Sequence, residues 1–304
     1  MLAISTLLAA VAVPAAVVGW RSMGRARGLA SMTPSSAAIL ITGCSSGIGL
    51  DAVRHLSAQG AGAIFATVRN EDDAVRLRDE FPTGVVKPLL CDVTVSADVL
   101  RLRGEVEKEL AARPELRFTG IVNNAGILRT DPGELSTSDV LEAVLATNVV
   151  GAYRLTETFL PLLLASGAER HGAPRVVFVG SYFGSFLPGD SAMSYGASKH
   201  ALEPLSDGLR RRLAPKGIHV ALVKPGNIDT NMNTEYAESP PRVVSEAIGD
   251  ALLSSGPLTR YYPGKFGGLP NRLACALFPL FPDRVADAFW RRMLGGGDGA
   301  GSEQ

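Results

Sequence analysis

The sequence contains little of the chemistry that builds disulfide bonds or metal centres. Its 304 residues include only three cysteines, Cys44, Cys91 and Cys275, and only four histidines. An odd number of widely separated cysteines fits neither a disulfide framework nor a metal-binding knuckle, and it indicates a reducing compartment. The histidines show no spacing typical of metal ligands, so we expect no metal site.

The chain also lacks net charge. Its 30 Lys and Arg residues balance 30 Asp and Glu residues, so no overall positive charge attracts the protein to nucleic acid. Hydrophobic residues make up 46% of the chain, which argues against disorder. The length suits one large α/β domain with an extensive buried core.

Charged side chains are missing altogether from residues 1–20, which are rich in Leu, Ala and Val. This stretch has about the length needed to cross a bilayer. Arg21, Arg25 and Arg27 follow it, and by the positive-inside rule they would keep the rest of the chain in the cytosol. We predict a membrane anchor in residues 1–27, in a membrane such as that of the endoplasmic reticulum. A cleaved signal peptide and a mitochondrial presequence are the alternatives.

After a small polar linker at residues 28–36, short apolar runs alternate with amphipathic stretches. This alternation predicts a doubly wound α/β fold of Rossmann type, in which helices cover both faces of a parallel sheet. The fold forms a single domain over residues 37–294, followed by a disordered Gly-rich tail at residues 295–304. The predicted strands are Ala38–Thr42, Ala63–Val68, Val85–Cys91, Gly120–Asn123, Arg175–Gly180 and His219–Lys224. The amphipathic stretches include Asp51–Gln59, Ala97–Ala112, Val140–Leu164 and Ala197–Leu213.

The segment from Asn227 to about Arg291 interrupts the alternation. Its part from Phe266 to Trp290 carries Leu, Phe and Pro with few charges. Two interpretations are open for it. The segment is either a flexible cap over an apolar substrate, or ordinary core packing together with a surface helix.

A glycine-rich turn joins the first predicted strand to a helical stretch. Residues 42–49 read Thr-Gly-Cys-Ser-Ser-Gly-Ile-Gly, which places Gly43, Gly47 and Gly49 at this junction. Glycines let the backbone turn tightly and approach a pyrophosphate, and the N-terminus of the following helix offers free N–H groups. The turn therefore predicts a dinucleotide site, and a purely structural turn is the alternative.

The end of the second strand predicts which dinucleotide binds. NAD enzymes place an acidic residue there for the ribose 2′-hydroxyl, whereas NADP enzymes offer an arginine to the 2′-phosphate. Val68 and Arg69 occupy this position, which favours NADP(H) over NAD(H). Against this, Arg69 has the alternative role of a solvated loop residue, and the neighbouring Glu71, Asp72 and Asp73 would repel a phosphate.

Ser181, Tyr195 and Lys199 form the candidate catalytic group. Tyr195 and Lys199 are four residues apart, so on one helix their side chains share a face. A free tyrosine titrates at about 10, and a nearby ammonium would lower the pKa of Tyr195. Ser181 follows the fifth strand, where its hydroxyl would bond a substrate oxygen on which charge develops.

With these motifs, the chain from about Ala38 to Tyr262 resembles the short-chain dehydrogenase/reductase family. The matching pieces are TGCSSGIG at 42–49, Asp92, NNAG at 123–126, Asn148, VGSYFG around Ser181, YGASK at 195–199 and PGNIDT at 225–230.

The resemblance implies a role for each matched residue. Tyr195 would be the general acid and base, and Lys199 would bind the nicotinamide ribose while lowering the tyrosine pKa. Ser181 would hold the substrate oxygen, and Asn148 would keep a water in a proton relay behind Lys199. Besides Tyr195 and Lys199, the residues expected to bind the cofactor are Gly43, Ser45, Ser46, Gly47, Ile48, Gly49, Arg69, Asp92, Val93, Asn124, Ala125, Gly126, Pro225, Gly226, Ile228 and Thr230.

One spacing departs from the family pattern. Ser181 lies fourteen residues before Tyr195, one more than is usual in the family, and Tyr182 occupies the usual spacing. Because VGSYFG aligns with Ser181 as the catalytic residue, a one-residue insertion near Pro188 and Gly189 explains the difference.

Among the members of the family, the chain resembles retinol, hydroxysteroid and 3-hydroxybutyrate dehydrogenases. The similarity lies in the apolar N-terminal segment, the run SKHALE at 198–203 and Arg260-Tyr261-Tyr262. It implies hydride transfer between NADP(H) and a small lipophilic alcohol, aldehyde or ketone, no nucleic-acid partner, and a homodimer or homotetramer as the expected assembly. An acyl-thioester ketoreductase and a dinucleotide-binding regulatory protein without turnover are the alternatives.

Overall fold

The protein is built around one seven-stranded sheet. The computed structural model describes residue 29 and residues 32–129, 137–167, 172–188 and 192–294. The strands are β1 (Ala37–Ile41), β2 (Ala63–Val68), β3 (Val86–Leu90), β4 (Arg117–Asn123), β5 (Arg175–Val179), β6 (His219–Val223) and β7 (Arg260–Tyr261). They lie parallel in the order β3-β2-β1-β4-β5-β6-β7, a doubly wound topology that brings the carboxyl ends of β1 and β4 side by side.

Helices cover both faces of the sheet. Residues of β1, β2 and β5 are buried throughout, which explains why these strands are apolar at most positions and do not alternate with polar residues. The helices are α1 (Gly47–Ala58), α2 (Glu71–Glu80), α3 (Ser96–Ala112), α4 (Ser138–Leu145), α5 (Ala152–Ala165), α6 (Met193–Leu213), α7 (Arg242–Leu253), α8 (Asn271–Leu277) and α9 (Asp283–Leu294). Apolar residues of α1, α2 and α7 pack on one face and those of α3, α5 and α6 on the other.

The predicted parallel sheet is confirmed, and the six predicted strands are all present with small shifts of their ends. The seventh strand, β7, was not predicted, because two residues are too short to show a pattern. Helix α1 begins at Gly47 rather than Asp51, since the glycine-rich turn runs directly into its first turn.

The amphipathic stretch Val140–Leu164 is interrupted in the structure. Helices α4 and α5 are separated by a π-helical segment, Ala146–Gly151, with wider turns than an α-helix. Asn148 lies in this segment and is buried. Periodicity alone cannot reveal such a segment, because six residues are too few to change the apolar pattern of a long amphipathic stretch.

The packed domain begins before the predicted boundary at residue 37. Met32 is buried in the core and its N–H donates to the carbonyl of Leu253 on α7. The carbonyl of Pro34 accepts from the N–H of Gly62, just before β2. Residues 32–36 are therefore part of the fold and not of a linker.

The expected membrane anchor at residues 1–27 and the expected tail at residues 295–304 lie outside the described residues. Within the part of the chain that the structure describes, no helix has the length and apolar character needed to span a bilayer.

Candidate active site

A large cavity opens at the carboxyl ends of the strands. Its volume is about 1170 Å³, enough for a dinucleotide and a substrate together. Every residue predicted to bind the cofactor lines it, and so do Ser181, Tyr195 and Lys199. Asn148 is the one predicted site residue that lies outside the lining. The fold therefore brings together residues that are up to 187 positions apart, from Gly43 to Thr230.

The hydroxyl of Thr42 holds the ends of β1 and β4 together. It accepts hydrogen bonds from the N–H groups of Asn124 and Ala125, both at 3.0 Å, and donates to the carbonyl of Val122 at 3.3 Å. The side-chain amide of Asn124 donates back to the carbonyls of Thr42, at 2.9 Å, and Gly43, at 3.1 Å. The predicted Asn124 thus braces the glycine-rich turn through its side chain.

The glycines of the turn are required by close backbone contacts. Gly43 has φ +70°, and a Cβ there would lie 2.9 Å from the Cα of Ala125. A Cβ on Gly49 would lie 2.1 Å from the carbonyl oxygen of Gly43 and 2.6 Å from the amide nitrogen of Asn124. These contacts leave a narrow backbone cradle at the start of α1, as a pyrophosphate requires.

Side chains at the end of β2 carry the positive charge expected near an adenosine phosphate. Arg69 is exposed and lines the cavity. Asn70 caps α2 by accepting from the N–H of Asp73 at 2.9 Å, which orients the helix beside the cavity. Asp73 forms an ion pair with Arg76 at 2.9 Å, and Arg76 also donates to the carbonyl of Ser45 in the glycine-rich turn. Sequence reasoning missed Arg76, whose link to the turn becomes visible only in the fold.

Asp92 stands at the end of β3, where the resemblance places the adenine. One oxygen of its carboxylate accepts from the N–H of Thr94 at 2.8 Å and from the hydroxyl of Thr94 at 2.6 Å. Its own N–H donates to Asp98 at 3.0 Å. These bonds fix the carboxylate at the cavity wall beside Val93.

Tyr195 and Lys199 lie one turn apart on α6, as their spacing predicts. The ammonium of Lys199 donates to the carbonyl of Val179 at the end of β5, at 3.0 Å, and lies 5.4 Å from the centre of the Tyr195 ring. The hydroxyl of Tyr195 shares a hydrogen bond with Ser181. The three side chains predicted to be catalytic therefore meet at one point of the cavity.

Burial dominates the electrostatics of this group. It raises the pKa of Tyr195 to about 12, although the hydrogen bond with Ser181 lowers it. It also lowers the pKa of Lys199 to about 8. The direction for Tyr195 is opposite to the sequence-based expectation, because desolvation by burial outweighs the influences that lower the pKa. The ammonium of Lys199 is bonded to a backbone carbonyl.

The structure distinguishes Ser181 from its neighbour Tyr182. Ser181 begins a short turn after β5, and its oxygen also accepts from the N–H of Phe183 at 3.2 Å. Tyr182 packs its ring against Phe183 and Phe266, with centres 4.7 and 4.6 Å apart. Ser181 therefore contacts Tyr195, as predicted from VGSYFG. Of the predicted insertion site, Pro188 lines the cavity and Gly189 lies outside the described residues.

Asn148 lies behind Lys199 in the π-helical segment. Its side chain accepts from the N–H of Ile127 at 2.8 Å and donates to the carbonyl of the same residue at 3.0 Å. It also donates to the hydroxyl of Ser198 at 2.9 Å. A Cβ on Gly126 would lie 3.3 Å from the Asn148 oxygen and 3.6 Å from the Lys199 ammonium. Asn148 and Lys199 are thus neighbours across Gly126.

The loop after β6 closes the cavity over the glycine-rich turn. The side chain of Thr230 lies 3.1 Å from where a Cβ on Gly47 would be. Glu238, further along the loop, accepts from the N–H groups of Gly267 and Gly268, each at 2.7 Å. The predicted residues Pro225, Gly226, Ile228 and Thr230 therefore line the same cavity, and Thr230 adjoins the predicted pyrophosphate site.

An aromatic shell forms the other end of the cavity. Phe266 contacts Tyr182 and lies 5.7 Å from Phe278 between ring centres, and Phe278 lies 5.2 Å from Trp290. The cavity-lining members of this shell are Tyr182, Phe183, Phe266, Phe278, Phe289 and Trp290. These side chains line the cavity and also pack on one another, so both interpretations of the C-terminal segment stay open.

The geometry agrees with comparisons to known proteins. Residues 37–241, more than half of the chain, match the family described as short chain dehydrogenase. The chain belongs to the short-chain dehydrogenase family.

Two curated relatives illustrate the range of this family. The chain is 35% identical over 241 residues to the Uncharacterized oxidoreductase YbbO of Escherichia coli, an alignment that covers 73% of this chain and 84% of that protein. It is 34% identical over 214 residues to human 17-beta-hydroxysteroid dehydrogenase type 1, covering 68% of this chain and 61% of the relative. The chain thus spans less than two thirds of the steroid enzyme.

A solved structure shows the same fold. The short chain dehydrogenase from Burkholderia cenocepacia, determined in complex with NADP, superposes with a TM-score of 0.66 at 26% identity. The superposition covers 86% of this chain and 99% of that one. Together with the family match, this shows that the chain is an oxidoreductase of the kind that acts on alcohol and carbonyl groups.

The first test concerns the cradle of this short-chain dehydrogenase. Gly49→Ala should weaken NADPH binding by about tenfold or more, because the added methyl forces the turn apart at a cost of about 1–3 kcal/mol. Fluorescence titration with NADPH measures the effect. Gly104→Ala is the matched control, since Gly104 lies in α3 with open space around its Cβ position. Equal affinities of the two variants would refute the assignment of the cradle.

Proposed function

We propose that the protein transfers hydride between NADP(H) and the C–OH or C=O group of a lipophilic alcohol, aldehyde or ketone of retinoid-like or steroid-like size. The observation that carries this proposal is the position of the Tyr195 hydroxyl. It lies in a cavity whose cofactor end is a backbone cradle and whose other end is an aromatic shell. A proton donor between these two ends fits reduction of an apolar carbonyl compound.

The charges that line the substrate end favour a neutral substrate. Glu235 and Glu238 line the cavity on the loop after β6. Burial raises the pKa of Glu238, but hydrogen bonds from Gly268, Asn227 and Gly267 outweigh it and hold the pKa below its usual value, so this side chain is ionised at neutral pH. Carboxylates at this place repel the acid group of a hydroxy acid and the phosphate of a carrier-bound thioester. We therefore expect 3-hydroxybutyrate and acyl thioesters to be poorer substrates than neutral apolar compounds.

Each catalytic side chain has one task in the proposed reaction. NADPH, held by the glycine-rich turn and Lys199, would supply the hydride for the substrate carbon. The Tyr195 hydroxyl donates its proton to the carbonyl oxygen, and the O–H bond of the new alcohol forms as the phenolic O–H bond breaks. Ser181 donates a hydrogen bond that stabilises negative charge on the same oxygen. Lys199 holds positive charge one helical turn away, which stabilises the phenolate left behind.

The pKa of Tyr195 predicts how the two directions of the reaction depend on pH. Burial raises this pKa to about 12, so the phenol is available as a proton donor at neutral pH. Alcohol oxidation requires the phenolate, whose population rises with pH. We therefore propose that the rate of alcohol oxidation increases as pH rises.

A panel of carbonyl compounds tests the activity. NADPH oxidation should be fastest with large apolar ketones or aldehydes and slow with acetoacetate or acetoacetyl thioesters. Tyr195→Phe should abolish turnover while NADPH still binds, because only the hydroxyl transfers the proton. Lys199→Ala should lose turnover and also cofactor affinity. Wild-type rates in Tyr195→Phe would refute the assignment of the proton donor. NADPH binding without turnover of any compound would instead support the regulatory alternative.

We propose NADP(H) as the preferred cofactor because Arg69 stands at the cavity wall with Arg76 nearby. The neighbouring carboxylates are engaged elsewhere, since Asp73 pairs with Arg76 and Glu71 pairs with Arg78 at 2.5 Å. Repulsion of a 2′-phosphate by these acids is therefore partly neutralised. A guanidinium binds such a phosphate through two parallel hydrogen bonds.

Arg69→Ala tests the cofactor preference. The variant should weaken NADPH binding by about tenfold or more and leave NADH binding nearly unchanged, since a charge-assisted bond to the 2′-phosphate contributes about 1.5–3 kcal/mol. Titration of both dinucleotides measures this. Arg242→Ala, which breaks only the exposed pair with Glu246 on α7, is the control and should affect neither. Equal losses for NADPH and NADH, or a wild type that prefers NADH, would overturn the proposal.

We propose that the protein associates with a membrane through residues 1–20, with the catalytic domain on the cytosolic side. Helix α9 supports this, because Val285 and Phe289 share one of its faces and are 51% and 36% exposed. Arg292 lies on the same stripe, seven residues after Val285, where it can reach lipid phosphates. Phe289 also lines the cavity, so the exposed apolar face adjoins the substrate site.

Fractionation tests the membrane proposal. The full chain should remain in the membrane fraction after carbonate extraction, and a variant that begins at Ser31 should be soluble and keep its NADPH binding. Met32, which packs into the core, is retained in that variant. Release of the full chain by carbonate would refute the anchor. Loss of NADPH binding in the shortened chain would show that the N-terminal residues belong to the fold.

A further inference from the structure

A cluster of ionised side chains lies next to the catalytic group and outside the lining of the cavity. Lys224, at the end of β6, is only 4% exposed, and its ammonium contacts the carboxylate of Glu203 and the hydroxyl of Ser185. The second oxygen of Glu203 accepts from the guanidinium of Arg260 at 3.0 and 3.1 Å. Arg260 also pairs with Asp207 at 3.1 Å. We call Lys224, Glu203, Arg260 and Asp207 the ionic cluster.

The ionic cluster connects two runs of sequence whose purpose the proposed reaction leaves open. Glu203 ends the run SKHALE, and Arg260 begins Arg260-Tyr261-Tyr262. The ammonium of Lys224 lies 5.6 Å from the centre of the Tyr262 ring, within the range of a cation–π contact. Both runs therefore meet at Lys224.

On one side the cluster holds the catalytic helix. Glu203 follows Lys199 by four residues and Tyr195 by eight, so the three side chains lie along one face of α6. An ion pair at Glu203 fixes the rotation of this face relative to the end of β6. The helix cannot turn about its axis without breaking the contact with Lys224.

On the other side the cluster holds the turn that carries Ser181. Ser185, which accepts the Lys224 ammonium, ends this turn. The turn is in direct contact with α6, because a Cβ on Gly184 would lie 2.7 Å from the carbonyl oxygen of Lys199. One ammonium is thus bonded to both elements whose separation sets the distance between Ser181 and Tyr195.

Backbone groups of Lys224 and Pro225 extend the connection to the loop after β6 and to helix α8. Its carbonyl accepts from the side chain of Asn271, which is fully buried at the start of α8, at 2.7 Å. The carbonyl of the following Pro225 accepts from the N–H of Tyr182 at 3.0 Å. Helix α6, the turn that carries Ser181, the loop after β6 and helix α8 therefore all meet at Lys224 and its neighbour Pro225.

A contribution to stability alone does not account for this arrangement. Removing a lysine and a glutamate from water costs free energy, and their mutual attraction does little more than offset that cost. An apolar pair of similar size would stabilise the core equally well. We propose that Lys224 and Glu203 are positioning residues. They hold the turn from Ser181 to Ser185, the serine turn, against the catalytic helix α6, so that Ser181 and Tyr195 can both form a hydrogen bond with the same substrate oxygen. This inference rests on the proposed reduction of a carbonyl group. Misplacement of a catalytic group by about 1 Å is enough to slow a reaction strongly.

Two variants that avoid an unpaired buried charge test the proposal. Ser185→Ala removes the bond between the ammonium and the turn, together with a hydrogen bond between Ser185 and the thiol of Cys275. The double variant Glu203→Gln with Lys224→Met removes both charges together and leaves the bond to Cys275 in place. In each, kcat for carbonyl reduction should fall by about tenfold or more, while KM and the dissociation constant of NADPH stay unchanged. Amide hydrogen exchange should speed up in residues 181–188. Glu246→Gln, which breaks the exposed Arg242–Glu246 pair on α7, is the control and should change none of these quantities.

The possible outcomes separate a positioning role from a general one. Unchanged kcat in Ser185→Ala and in the double variant would overturn the proposal. So would a parallel loss of kcat, NADPH affinity and melting temperature, because that pattern indicates general destabilisation. If the wild type reduces no carbonyl compound, the proposed function fails. Faster exchange confined to residues 181–188 would then still show that the cluster holds the serine turn.

Discussion

The hydroxyl of Thr42 joins the carboxyl ends of β1 and β4, and the geometry of the cofactor site depends on this connection. It accepts from two consecutive N–H groups after β4 and donates to the carbonyl of Val122 within it. The carboxyl ends of β1 and β4 are consequently fixed against each other. The turn from Gly43 to Gly49 must then pass so close to Ala125 and Asn124 that only glycine fits. Because the cradle for a pyrophosphate is made of this backbone, its shape is set by the sheet and is largely independent of the surface side chains.

Burial has opposite effects on the two titrating groups of the catalytic pair, and both effects favour the neutral forms. It raises the pKa of Tyr195 to about 12 and lowers the pKa of Lys199 to about 8. The prediction from the four-residue spacing assumed that the Lys199 ammonium would set the pKa of the Tyr195 phenol. The structure shows that desolvation is the larger influence and that Lys199 directs its charge at the carbonyl of Val179. The result is a phenol that retains its proton, which suits a group that gives a proton to a developing alkoxide.

The sequence predicted those parts of the fold and site that depend on neighbours along the chain. Apolar runs located the strands, glycine spacing located the cradle, and a four-residue spacing placed Tyr195 and Lys199 on one helical face. It could not predict features that arise from contacts between distant segments. The π-helical segment at Asn148 is stabilised by the backbone of Ile127 and by Ser198. The roles of Arg76 and Lys224 likewise depend on partners that only the folded chain brings near. The packing of Met32 against α7 was missed for the same reason.

The two ends of the cavity are built from different kinds of material, and this explains why the C-terminal segment breaks the regular alternation. The cofactor end uses backbone groups and small residues at the ends of β1 to β4, which cannot change without disturbing the sheet. The aromatic shell uses side chains that mostly come after β6, where only the two-residue strand β7 remains to be added to the sheet. Residues such as Phe266, Phe278 and Trp290 pack mainly on one another. Substitutions among them can therefore reshape the substrate end while the cradle and the catalytic helix keep their positions. Selectivity for the substrate should therefore depend on the aromatic shell, whereas the chemistry depends on residues held by the sheet and the catalytic helix.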